Sequence, residues 1–194
     1  MKQNDILQNI SDKDLKKSLL FSQALFLLIS LLLSLILFDH FFDWFQYFKY
    51  DLKEMIYYGL FPGLLVVMID LVLMKVLPKH HLDDGGMNER VFQNRSIPDI
   101  LFLTLVIAIS EELLFRGVFQ TTFGYFTASV IFALVHFRYL KKPVLFISVL
   151  LLSFYIGFLF KITGNLFVTI TMHFIIDFLL GLIIRFQKWG TVNE

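Results

Sequence analysis

The sequence predicts an all-α fold: a polytopic membrane bundle of about six transmembrane helices with both termini cytoplasmic. Three observations predict it. Of 194 residues, 57% are hydrophobic and 17% charged, too little polar surface for a soluble domain of this size. The apolar residues fall in runs near the roughly 20 residues a membrane-crossing helix needs. Basic residues gather on alternate connections, as membrane orientation requires. The formal net charge of +1 offers no attraction for nucleic acid, and the absence of cysteine excludes a disulfide frame, cysteine zinc ligands and a thiol nucleophile.

The first run extends from Ser18 to Phe38, between Lys17 and Asp39. The following "LILFDHFFDW" contains no small-residue cleavage site, so the run reads as a retained span rather than a secretory signal. Met55 to Met74 forms the second span, interrupted only by Asp70, and "KVLPKHHLDDGGMNERVFQNRS" reads as a polar loop. The third span begins near Pro98, a residue suited to a helix's first turn, and runs through a charged stretch to about Phe119. "QTTFG" supplies turn residues before a short fourth span, Phe123 to Phe137. Arg138, Lys141, Lys142 and Pro143 mark the next loop, Val144 to Phe160 the fifth span, "KITGN" a turn, and Leu166 to Ile184 the sixth.

With the N-terminus inside, the inner segments hold Lys2, Lys13, Lys16, Lys17, Lys75, Lys79, Arg90, Arg95, Arg138, Lys141, Lys142, Arg185 and Lys188. The outer loops hold only Lys49, Lys53 and Lys161, thirteen against three in favour of this orientation.

Few ionisable residues remain at membrane depth: Asp70, Glu111, Glu112, Arg116, His136, His173 and Asp177. An ionised side chain near the centre of a bilayer costs roughly 2.5 to 3.5 kcal/mol, so each needs a partner or a purpose. Residues four apart share a helical face, which groups Glu112 with Arg116, Phe132 with His136, and His173 with Asp177. Glu111 lies about 100° around the helix from Glu112, so one carboxylate can pair with Arg116 while the other points at histidines on later spans. Structural roles compete at each position. Glu112 and Arg116 can form an internal ion pair, a membrane histidine can be an interhelical hydrogen-bonding residue, and Asp177 can orient His173. Asp70 reads as a snorkelling or packing residue, "HHLDD" as a solvated loop, and His40 as an interfacial residue without a role. Together, carboxylates and histidines from three spans make a set able to activate water for hydrolysis, with a general base and hydrogen-bonding groups for an oxyanion.

Three motifs then carry a resemblance. "EELLFR" (Glu111, Glu112, Arg116), "FALVH" (Phe132 to His136) and "HFIID" (His173 to Asp177) resemble, in order, the EExxxR, FxxxH and HxxxN/D motifs of the CAAX protease and bacteriocin-processing (Abi) family. The resemblance covers roughly residues 97–184. It divides the chain into a two-span region with a cytoplasmic loop (1–96), a catalytic membrane core (97–185) and a cytoplasmic tail (186–194). It implies an intramembrane glutamate-type endopeptidase of the cell membrane, acting on a peptide or membrane-protein substrate without a cofactor. Glu111 would be the general base, His136 would hold and polarise the water, and His173 and Asp177 would line the oxyanion side. Glu112, Arg116 and Phe132 would support them. The motif prefers Asn where this chain has Asp177, because an amide N–H can donate to an oxyanion and an ionised carboxylate cannot.

Other functions stay open on the sequence. The family includes bacteriocin self-immunity proteins, which could act by binding. Glu, His, His and Asp could ligate zinc in a metal-dependent protease, although the HExxH signature is absent. A transporter or proton relay would also place such groups at midplane, but no inverted repeat is visible.

Overall fold

Residues 11–187 are described by the computed structural model, so Lys2, Lys188 and nearly all of the expected tail lie outside them. Helix α1 (Asp12–Leu37) starts six residues before the apolar run because Ser11 caps it, accepting the Asp14 N–H at 3.1 Å. Asp12 and Asp14 in its first turn complement the positive end of the helix dipole. A 3-10 turn, Phe41–Tyr47, leads to α2 (Leu52–Val76), capped by the Asp51 side chain. Gly59 and Gly63 lie one turn apart on α2. A Cβ on Gly59 would sit 2.9 Å from the Val168 carbonyl oxygen, and one on Gly63 3.2 Å from the Met172 oxygen. The two glycines thus bring the α2 backbone against α8 (Leu166–Phe186) more closely than any larger residue would allow.

The stretch expected as a polar loop contains two short helices, α3 (Lys79–Leu82) and α4 (Met87–Phe92). The reason is an apolar face within polar sequence: Met87, Val91 and Phe92 bury against Leu15, Ile100 and the inner half of α8. The aspartates of "HHLDD" serve this turn. Asp83 accepts from the Gly85 N–H at 2.7 Å, and Asp84 accepts from the N–H groups of Met87 and Asn88, each at 3.0 Å.

Helix α5 spans 97–123 without a break: an α-helix (Ile97–Glu112), π-helical turns (Leu113–Gln120) and a last α turn (Thr121–Phe123). It therefore runs past the expected end at Phe119, and Gly124, at φ +85°, ends it. The fourth span is correspondingly shorter than expected: α6 covers Tyr125–Val135 and stops at His136, whose φ of −80° and ψ of 47° leave the helix. Helix α7 (Pro143–Thr163) closes at Gly164, and Asn165 caps α8 by accepting the Phe167 N–H at 3.0 Å.

Four helices, α1, α2, α7 and α8, are long and apolar enough to cross a membrane. Helix α5 adds a fifth long rod bearing Asp99, Glu111, Glu112 and Arg116, and α6 is a short apolar sixth. The fold is a polytopic helical bundle with α5 and α8 at its centre. Helix α8 packs on α2, α4, α5 and α7, while α5 packs on α1, α6 and α8. At the inner end, Lys16 and Arg95 both pair with Asp99, tying α1 to α5.

Candidate active site

The site lies where α5 crosses α8. Glu111 and Glu112 fall at the end of the α segment of α5, just before its wider π turns, a local geometry often found at functional positions. Both carboxylates are buried, with Glu112 wholly so and Glu111 6% exposed. Adjacent residues diverge around a helix, yet these two converge on one imidazole. The His173 Nδ1 lies 2.9 Å from Glu112 Oε1, and its Nε2 lies 4.0 Å from Glu111 Oε2. The sequence reading separated the two glutamates, one to Arg116 and one to the histidines. The structure has Glu112 on Arg116 and Glu111 beside His173, and adds that Glu112 serves both, because its Oε2 accepts from Arg116 Nε at 3.2 Å while its Oε1 faces His173.

Arg116 is fully buried and anchored from several sides. Its Nη2 donates to Ser153 Oγ on α7 at 3.2 Å, and its guanidinium lies 5.2 Å from the centre of the Phe132 ring. Ser153 in turn donates to the Ser129 carbonyl on α6 at 3.0 Å, so the ion pair also links α5, α6 and α7.

Phe132 stands between the two histidines, its ring centre 4.8 Å from that of His136 and 6.1 Å from that of His173. The His136 Nδ1 lies 2.8 Å from the Phe132 carbonyl oxygen. A carbonyl only accepts, so Nδ1 carries the proton and Nε2 is left to face the site. The ring also stacks on Tyr139, at 6.0 Å between centres and 22° between planes. His136 lies within electrostatic reach of Glu111. Asp177, one turn along α8, places Oδ2 3.5 Å from His173 Nε2, and 29% of its side chain is exposed. The cluster is therefore sealed at Glu112 and Arg116 and open on the side of Asp177 and His136.

Asp70, His40 and the "HHLDD" histidines lie outside this cluster. Asp70 is half-buried on α2, and the His80 and His81 rings meet at a tilt of 41° at the surface. Among the described residues no group of three His, Cys, Asp or Glu side chains could hold a metal ion.

One participant was missed in the sequence. Gln23 on α1 is 5% exposed and places its Nε2 3.4 Å from Glu111 Oε1. Its signal was present: it is the only side-chain amide in the first apolar run, and such a group normally faces the bundle interior.

A buried Glu–Glu–Arg–His cluster inside a bundle of membrane-spanning helices defines a class, membrane proteins with an ionisable site at depth. Residues 93–179, which contain all three motifs, match the description of type II CAAX prenyl endopeptidases of the Rce1-like kind. The chain is 51% identical over 140 residues to the uncharacterized protein YpbD of Bacillus subtilis (strain 168), covering 71% of this chain and 74% of YpbD. The chain belongs to the Rce1-like family of CAAX-type endopeptidases. No solved structure matches it.

Proposed function

We propose that this chain is a multi-pass cell-membrane endopeptidase that hydrolyses a peptide or membrane-protein substrate with a Glu111-activated water. The observation that carries the reading is the gap between Glu111 Oε2 and His173 Nε2, 4.0 Å, among buried side chains and open on the side of Asp177. Groups at that separation are suited to share a water. Glu111 takes a proton from the water as its oxygen bonds to the scissile carbonyl carbon. His136, with Nε2 free to accept, helps hold that water. His173, protonated at both nitrogens, donates its Nδ1–H to Glu112 and its Nε2–H to the oxyanion that forms on the carbonyl oxygen. Glu111 then returns the proton to the departing amine as the C–N bond breaks. Glu112 and Arg116 hold the ring and the helix in place, and the cycle calls on no cofactor.

The test is cleavage of a prenylated CAAX peptide, the substrate type in the family's description, by the purified full chain in lipid nanodiscs. Cleavage at an unchanged rate after treatment with strong chelators is expected. Loss of activity on chelation, restored by zinc, would replace this reading with a metal-dependent one.

The Asp177 position gives a second expectation. His173 is already fixed by Glu112, so an orienting role for Asp177 is redundant, and its carboxylate sits on the same Nε2 side as Glu111. Asp177→Asn supplies an N–H donor there and removes a like charge. Its kcat should stay within about tenfold of the parent or rise, the scale of one hydrogen bond. A larger fall in steady-state kinetics would show that the carboxylate itself is required.

A further inference from the structure

Helix α1 lies outside the family motifs, yet it sends one side chain into the site. Its buried and half-buried hydroxyls are satisfied within the helix: those of Ser22, Ser30 and Ser34 donate to the carbonyls of Leu19, Phe26 and Leu31 at 2.7, 2.8 and 2.8 Å. Gln23 instead bridges two consecutive residues of α5. Its Oε1 accepts from Ser110 Oγ at 2.5 Å, and its Nε2 donates to Glu111 Oε1 at 3.4 Å.

We propose that Gln23 is a positioning residue for Glu111, keeping its carboxyl hydrogen-bonded through both halves of the proton cycle. The proposal rests on the reading of Glu111 as the general base. While Glu111 is ionised, the amide N–H donates to it and Ser110 donates to the amide oxygen. When Glu111 has taken the proton from water on Oε2, the oxygen nearer His173, its Oε1 becomes the carbonyl oxygen of the neutral carboxyl and still accepts the amide N–H. The Ser110 O–H continues to donate to the amide oxygen, and the Oε2 proton stays on the side of the site from which it is returned. Gln23, Ser110 and Glu111 Oε1 thus keep the same partners in both states, and a side chain with both a donor and an acceptor is what permits this. The other charged groups around Glu111 are Glu112 and Arg116 on α5, His173 and Asp177 on α8, and His136 at the end of α6. None of them offers a neutral donor and acceptor in one group facing Ser110 as well.

The experiment compares Gln23→Met, which keeps length but neither hydrogen bond, with Gln23→Asn and Ser110→Ala, in nanodiscs on a prenylated CAAX peptide. Gln23→Met is expected to lower kcat by roughly 10- to 100-fold, the scale of a hydrogen bond to a charged group, with KM unchanged. Gln23→Asn keeps the amide one methylene short and should fall between, which serves if the Met variant does not fold. Ser110→Ala should add little on top of Gln23→Met, since the two act as one unit. Infrared difference spectra give a readout independent of turnover: the carboxyl band that disappears in Glu111→Gln should shift in Gln23→Met. Parental kcat with an unshifted band would overturn the proposal. Full activity in Glu111→Gln would instead sink the general-base reading, and the band shift would then decide the Gln23 contact alone.

Discussion

Replacing Glu111 with glutamine is expected to lower kcat on a prenylated CAAX peptide by about 10²- to 10⁴-fold, the usual contribution of a general base. The substitution keeps the shape and the hydrogen bond from Gln23 and removes only the capacity to accept a proton from water. Glu111 is nearly sealed, and its contact with His173 is a loose one at 4.0 Å. Stability should therefore change little, and thermal unfolding in micelles separates a chemical from a structural effect. Steady-state rates within threefold or so of the parent would remove Glu111 from the chemistry. The same variant addresses immunity by binding: toxin protection that persists without cleavage would show a function independent of catalysis.

The second large effect concerns stability. Arg116→Met is expected to destabilise the fold by about 3–5 kcal/mol, because it takes the guanidinium from the wholly buried Glu112 carboxylate and leaves His173 as its remaining partner. The double variant Glu112→Gln/Arg116→Met should recover most of that loss. A glutamine carbonyl still accepts from His173 Nδ1, and no unpaired charge remains. Equilibrium unfolding of the single and double variants measures the difference. A double variant less stable than Arg116→Met would mean that the pair contributes through more than mutual neutralisation.

Much of this was readable from spacing alone. The i, i+4 pairs Glu112–Arg116 and His173–Asp177 follow from helical periodicity, and the structure has both pairs in contact. The long apolar runs located α1, α2, α7 and α8, since length and hydropathy are local properties. The unread parts depend on packing between distant segments. The π turns of α5 have no composition signal, and Gly124 ended α5 later than the turn-like "QTTFG" suggested. Helix α4 is held by Leu15, Ile100 and α8, partners far away in sequence. The sharing of His173 by both glutamates depends on where α8 crosses α5, which no periodicity in α5 encodes. Gln23 illustrates the same limit: its polarity was visible, but its target on α5 was 88 residues away.

The shortness of α6 has a geometric consequence. Eleven residues of α-helix rise about 16 Å, roughly half of a 30 Å hydrocarbon layer. His136, at the end of that helix, therefore stands about half the thickness of that layer from where α6 begins. The chain must cover the remaining distance to α7 as irregular backbone, the 3-10 turn Phe137–Tyr139 and the residues up to Lys142. Irregular backbone at such depth persists only beside protein or water. One side of it is braced by protein, with Lys142 Nζ 3.7 Å from Asp83 Oδ2 in the α3–α4 segment. The missing half of a helix thus leaves irregular backbone, rather than a helical wall, on the His136 side of the cluster.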